Sequence, residues 1–540
     1  MKTLRHLTNT AFVVSLALLA SCSSDNDIEV NNENNNNNAN VPAEKLRFSA
    51  TVEPNVVSRA TLNQDDNTLH WDANDKIAVF SPKANKIEEF TVESQYAGQT
   101  VAYFSSDKPS TLTPPDNSGS FPYYYAFYPA EAVKGLATAS SGEYNRVQGY
   151  IPTEQKVTEG YTYDKSAILM MARATPAEKA FSFLNVNALV KVTITNNDNG
   201  KVKYIKLVSN NNSRVMTGTG RYNITNEIKP SIVAGDDTKN YVQLEIPASS
   251  GKVDYYLSVH QNTFDAGFTL LLESEFDETT HSQSIYQRVK TGSTQLAKST
   301  IYDFGDYDVS RLKYLNNVVD LGLTSGTIWT TRNVDSTPKF VENWYDYGGY
   351  YTWGATAQQS GYSSNNYTLG NDIYTTYQYQ GPKDTSKKTY YLLNSEYDVA
   401  SQISGGIYCM PTKTQIEELI ALTKTYYMSN NKWNGYNGIK FTGYKNRYLW
   451  LPAGGYFLNS TFQQGSINEG SMCYYWSRNR YDVSADYAYC LDFQNNGEVY
   501  HDLGGSNSGN GRDRRFCGKN IRPIVKNVGI ERAKGFPSNY

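Results

Sequence analysis

Histidine is scarce in this chain of 540 residues, with five in all: His6, His70, His260, His281 and His501. They lie far apart and none sits in a metal-binding or nucleophile motif, which argues against zinc hydrolysis and Ser-His chemistry. Cysteine is as rare, five residues, with no paired CxxC units of the kind that hold zinc. An excess of one charge is also missing. Lysine plus arginine (50) nearly balances aspartate plus glutamate (53), giving a formal net charge of −3 with no basic stripe. The electrostatic footprint that nucleic-acid binding requires is therefore absent. Long apolar runs are lacking as well: the stretch from Ala11 to Ala20 falls short of the ~20 residues needed to span a bilayer as a helix.

That stretch follows a basic start, Lys2 and Arg5, and has the form of a cleaved signal. It ends Leu19-Ala20-Ser21-Cys22, which resembles the lipobox of bacterial lipoproteins. The resemblance implies that residues 1–21 are removed as a signal peptide and that the Cys22 thiol is lipidated, anchoring the chain to the outer membrane. Residues 22–42 include the Asn-rich run Asn31–Asn38, with no apolar residue from which to build a core, and are expected to be a disordered tether. The acidic residues just after Cys22, Asp25 and Asp27, are similar to the surface-export signal of Bacteroidetes lipoproteins, which implies display on the cell surface.

The remaining length exceeds one ordinary core, so two or three domains are expected. From Leu46 to Tyr307 short β-branched or alternating runs recur between Gly, Asn, Asp and Pro, as in Lys76-Ile77-Ala78-Val79-Phe80 and Val202-Lys203-Tyr204-Ile205-Lys206-Leu207. This predicts an all-β region, in sandwiches rather than a barrel. Trp71-Asp72-Ala73-Asn74-Asp75-Lys76, Tyr124-Tyr125-Ala126-Phe127-Tyr128-Pro129, Ile151-Pro152-Thr153-Glu154-Gln155 and Phe181-Ser182-Phe183-Leu184 follow in an order that resembles fimbrillin-family proteins. The resemblance implies two β-sandwich modules, 43–165 and 166–310, in a pilus subunit. It also implies proteolytic processing of the precursor, for which Arg59, in Ser58-Arg59-Ala60-Thr61, is the candidate cut.

Composition then changes: 27 of the 45 tyrosines and six of the seven tryptophans lie in 311–540, which marks a different kind of domain. Thr412 and Gln415 form a capping-box pair ahead of Ile416, Leu419 and Ile420, predicting a helix with one apolar face. Val319-Asp320-Leu321-Gly322-Leu323, Thr327-Ile328-Trp329, Leu449-Trp450-Leu451-Pro452 and Gly518-Lys519-Asn520-Ile521-Arg522-Pro523 together resemble the Fibrobacter major-paralogue type of domain, which is similar to C-type-lectin folds and to formylglycine-generating enzymes. That implies an α+β domain whose loops on one side carry function. Trp329, Trp353, Trp450 and Trp476 are expected to be buried anchors. The four remaining cysteines, Cys409, Cys473, Cys490 and Cys517, all fall here, where one or two disulfides are expected and free buried thiols are the alternative.

The segments Arg478-Asn479-Arg480-Tyr481-Asp482, Tyr500-His501-Asp502, and Asn507, Asn510, Arg512, Asp513 and Arg514 are expected on exposed loops. Tyrosine offers amphipathic contact area with few rotors, and Ser, Gly and Asn supply adaptable hydrogen bonds, a combination suited to ligand binding. The sequence thus points to a mostly β, non-enzymatic surface adhesin of a fimbrillin-type pilus, tip or accessory, without cofactor or metal. Its partners are expected to be other pilus subunits and a glycan or protein of a host or bacterial surface, and not nucleic acid. A structural cap of the pilus is one alternative. An enzyme with the formylglycine-generating fold, drawing on a pair among Cys473, Cys490 and Cys517, is the other.

Overall fold

The structure is a computed structural model that describes residues 45–52, 70–115, 122–138, 144–223, 230–232, 237–337, 339–359, 361–362, 397–428, 435–458, 468–481, 487–494, 499–500 and 511–526. All belong to one compact unit, Lys45–Tyr540. The expected signal peptide, Cys22, the tether and Arg59 lie outside the described residues. Among the described residues no helix is long and apolar enough to cross a membrane.

The protein is mostly β, as its alternating sequence predicts. The first sheet closes on itself, in the order Arg47–Val52, Ala180–Asn185, Met170–Ala174, Tyr124–Tyr128, Lys76–Phe80, Ile87–Val92, Val101–Ser105 and back to Arg47–Val52. The closing strand pairs parallel with Ala180–Asn185 and antiparallel with Val101–Ser105. The ring draws on Met170–Ala174 and Ala180–Asn185, strands past residue 165, as well as on those before it. Trp71 fills the ring's interior, edge-on to Phe104 at 5.1 Å and to Tyr128 at 5.3 Å. All five residues of Tyr124–Tyr128 are buried because both faces of the strand are covered. Tyr124, Ala126 and Tyr128 face the ring's core, while Tyr125 and Phe127 pack with Val147, Ile151 and Tyr222 of a second, four-stranded sheet.

The next module is a two-layer sandwich. Ala188–Asn197, between Ser249–Val259 and Ile301–Asp308, forms one layer. Its Val190, Val192 and Ile194 pack against Ile205, Leu207, Leu244, Leu270 and Leu272 of the other. That second layer does not stop at the module. Its strand Gln283–Lys290 pairs antiparallel with Leu315–Asp320, and the sheet continues through Ile328–Thr330 and Ile524–Val525 to Tyr408–Cys409, nine strands in all. The C-terminal region is therefore grafted onto the sandwich by backbone hydrogen bonds.

Beyond that graft stand a meander, Lys424–Met428, Gly438–Thr442 and Tyr448–Pro452, and a sheet built on Met472–Arg480 and Tyr487–Gln494. The predicted helix forms at Lys413–Leu422 with its capping box complete: the Gln415 amide donates to Thr412 Oγ1 at 3.2 Å and the Thr412 amide to Gln415 Oε1 at 2.9 Å. Ile416 and Leu419 are buried, with Ile420 packed against the same cluster. The four expected tryptophan anchors are all buried, and the indoles of Trp353 and Trp476 donate to Ser477 O and Tyr351 O at 2.9 and 2.8 Å. No disulfide joins the four described cysteines, all buried, so the bridges expected from an extracytoplasmic setting are replaced by thiols packed as small apolar groups.

Candidate ligand-binding surface

Three expected surface residues turn out to be framework. Arg478, Asn479 and Arg480 close the strand Met472–Arg480 and are buried, because the strand is covered by the helix Lys413–Leu422 and its entry loop. The Arg478 amide donates to Pro411 O at 2.8 Å, and its guanidinium donates to Cys409 Sγ at 3.6 Å. Asn479 Oδ1 accepts from the Lys413 amide at 2.8 Å, satisfying one of the open donors at the helix start. Asp398 caps the helix Val399–Ser404 and accepts from the Met410 amide at 2.9 Å. Burial raises its pKa while the nearby Arg478 charge pulls it down. An Arg-Asn-Arg run reads as solvated in sequence, but here its charges and amide knit the helix to the sheet.

Asp513 is also turned inward. Its carboxylate meets the fully buried Lys519 ammonium at 2.7 Å, and the Lys519 ammonium lies over the Tyr474 ring at 4.1 Å. Asp492, close to this pair, is pushed up to about 6 by burial, against the opposing pull of Lys519. Asp492 is buried, and Asp513, though partly exposed, is engaged by Lys519.

What does reach the surface is a patch of tyrosine and arginine. Tyr481 follows directly on the buried strand end, its amide bonded to Tyr487 O at 3.0 Å. The Arg512 guanidinium lies 4.3 Å from the centre of the Tyr481 ring and donates to its hydroxyl. The Tyr481 ring stands edge-on to Tyr489 at 5.3 Å and to Tyr487 at 6.4 Å. Arg514, exposed, has its pKa raised by a hydrogen bond with Tyr487. Register explains the grouping, since Tyr487 pairs with Arg514 and Tyr489 with Arg512 across adjacent strands. The arrangement offers ring faces and cations on a rigid edge, suited to stacking on a sugar or pairing with an anionic group.

Of the residues expected to bind, then, the structure groups Tyr481, Arg512 and Arg514. Tyr500 pairs with Asp492, toward the other end of the strand Tyr487–Gln494. Asp482, His501, Asp502, Asn507 and Asn510 lie outside the described residues. Tyr487 was missed because its run, Tyr487-Ala488-Tyr489-Cys490-Leu491, reads as a framework strand. Two-residue alternation in that run places Tyr487 and Tyr489 on one face, the signal that pointed to it. Among the described residues no group of three or more His, Cys, Asp or Glu is placed to hold a metal ion.

No family model matches the chain, and no curated protein matches it. Solved structures do align with about half of it. The tip fimbrial protein Mfa3 of Porphyromonas gingivalis, C-terminally truncated, aligns at 9% identity and a TM-score of 0.24, over 50% of this chain and 98% of that one. A Bacteroides ovatus protein proposed to act in cell adhesion aligns at 11% identity and a TM-score of 0.32, over 51% of this chain and 96% of that one. A Bacteroides uniformis protein of the same description aligns at 14% identity and a TM-score of 0.29, over 50% and 97%. Likenesses this distant carry neither a family nor a function to this chain.

Proposed function

We propose that the protein is a lipid-anchored surface adhesin, a tip or accessory subunit of a fimbrillin-type pilus, that binds a glycan or protein ligand through its C-terminal module. The observation that carries the reading is the Tyr481, Tyr487, Arg512 and Arg514 patch, held on a strand edge whose base is locked by buried Arg478 and Asn479. A preorganised aromatic and guanidinium surface binds without first having to order itself. The cysteine-based enzymatic alternative is disfavoured: burial pushes the Cys473 and Cys490 thiols well up and Cys517 up to about 12, far from the thiolate that such chemistry uses.

One observation favours the cap reading. Leu315–Asp320 occupies the edge of Gln283–Lys290, where a strand of another subunit would otherwise add. The two readings separate by experiment. The full chain, and a variant with Tyr481→Ala, Arg512→Ala and Arg514→Ala, are assayed on arrays of mucins, bacterial surface glycans and cell-surface proteins, with melting curves in parallel. The adhesin reading expects a ligand whose affinity falls by about 2 kcal/mol or more, roughly thirtyfold, in a variant that melts like the parent. Absence of any ligand, or a ligand held equally well by the variant, moves the assignment to the cap.

A further inference from the structure

Where the sandwich meets the C-terminal module, four charged side chains are shut away from water. Lys206 on Tyr204–Ser209, Glu273 at the end of Phe268–Glu273, Asp320 at the end of Leu315–Asp320 and Arg447 just before Tyr448–Pro452 are each at most 1% exposed. The Lys206 ammonium contacts the Asp320 carboxylate and lies over the Tyr241 ring at 4.5 Å. Arg447 Nη1 donates to Glu273 Oε2 at 2.8 Å and to Asp320 O at 3.3 Å. The Glu273 and Asp320 carboxyls are close enough to hydrogen-bond to each other when one holds a proton, and Glu273 Oε1 is buried with no other partner.

An amine pressed against a carboxyl, with a second carboxyl beside them and water kept out, is poised for condensation. Contact enforced by the fold replaces the encounter of two solutes. Burial works against the charges of Lys206 and Asp320, but each holds the other ionised: the Asp320 and Glu273 carboxyls raise the Lys206 pKa, and Lys206 keeps Asp320 well below the usual carboxylate range. The neutral amine and acid therefore arise only by proton transfer within the contact, while the dry site withholds the water that would reverse the reaction. Burial pushes Glu273 up to about 7, so near neutrality it both takes and gives a proton.

We propose that Lys206 and Asp320 become joined by an intramolecular amide bond, formed by the folded protein itself, with Glu273 relaying the proton. The proton of the Lys206 ammonium passes to the Asp320 carboxylate, leaving a free amine beside a neutral acid. The Nζ lone pair attacks Asp320 Cγ and the N–C bond forms. Glu273 takes a proton from the nitrogen and delivers it to the departing hydroxyl, the C–O bond breaks, and one water leaves. Nothing is oxidised or reduced. Arg447 acts as a positioning residue that holds the Glu273 carboxylate toward the pair. The bond would tie two strands 114 positions apart and so fasten the sandwich covalently to the C-terminal module.

The test is a peptide map of the full chain, denatured, digested with trypsin and analysed by tandem mass spectrometry. The expected product is a branched peptide containing both Lys206 and Asp320, lighter than the sum of its parts by one water, with no cleavage after Lys206. Separate peptides, cut after Lys206, would overturn the proposal. In a Glu273→Gln variant the separate peptides are expected in full yield. If that variant still forms the branched peptide completely, the relay assigned to Glu273 is wrong. Because the parent protein's map decides whether the bond exists, a variant that folds poorly leaves that part of the test intact.

Discussion

His260 shows how a single residue can be decisive and still illegible in sequence. Its ring is fully buried, with Nε2 2.9 Å from Gly218 O and Nδ1 3.2 Å from the Tyr222 hydroxyl. The neutral tautomer satisfies both contacts, donating from Nε2 to the carbonyl and accepting at Nδ1 from the hydroxyl. Space for the ring comes from Gly220, where a Cβ would lie 2.6 Å from His260 Cε1. Burial depresses the His260 pKa from 6.5 to about 4. The unfolded chain therefore takes up a proton near pH 6.5 that the folded chain refuses until about pH 4. The stability due to neutral His260 is thus complete above 6.5 and lost as pH falls toward 4, up to about 3 kcal/mol. A His260→Gln variant, less stable at pH 7, is expected to close most of its gap to the parent by pH 4.5, as read from urea midpoints. An unchanged gap would mean that the ring is charged in the folded state. A lone histidine in sequence announces none of this, just as Arg478 and Asn479 announced exposure and delivered burial. Polar side chains record their chemistry but not which neighbour satisfies it.

Single elements were far more readable. The capping box at Thr412 and Gln415 and the tryptophan anchors formed where local pattern placed them, because turn chemistry and apolar spacing act within a few residues. Which strands pair was not readable, since ladder bonds use backbone groups common to every residue. Nothing in Val319-Asp320-Leu321 disclosed that Leu315–Asp320 would extend the preceding sheet. The ion pair of Arg447 with Glu273 spans that junction. Arg447→Met is expected to lower the stability of sandwich and C-terminal module together by about 3–5 kcal/mol, because Glu273 is left buried without its cation. Adding Glu273→Leu should restore most of the loss. Chemical denaturation of the single and double variants checks both statements, and a double variant no better than the single would show that the junction depends on packing and not on charge.

At the scale of the whole molecule, the mostly β character followed directly from composition and alternation, whereas closure of the first sheet did not. Closure needs Arg47–Val52 to meet Ala180–Asn185, a contact with no local signature. Apart from its two ladders, the closing strand is joined covalently to the rest of the ring through residues 53–69, the stretch that contains Arg59. If trypsin cuts at Arg59 and leaves the ring intact, the melting temperature of the nicked protein should rise with protein concentration, whereas that of the uncut protein should not. A concentration-independent melting curve after a verified cut would show that the strand leaves at once or contributes nothing.

The strand Arg47–Val52 is thus a stave whose membership of the barrel rests on one covalent thread. While the thread is whole, the stave's presence is a question of folding. Once it is cut, the same Phe48 and the same ladder become a ligand in its receptor, subject to dissociation, dilution and competition from any other segment that fits the vacated slot.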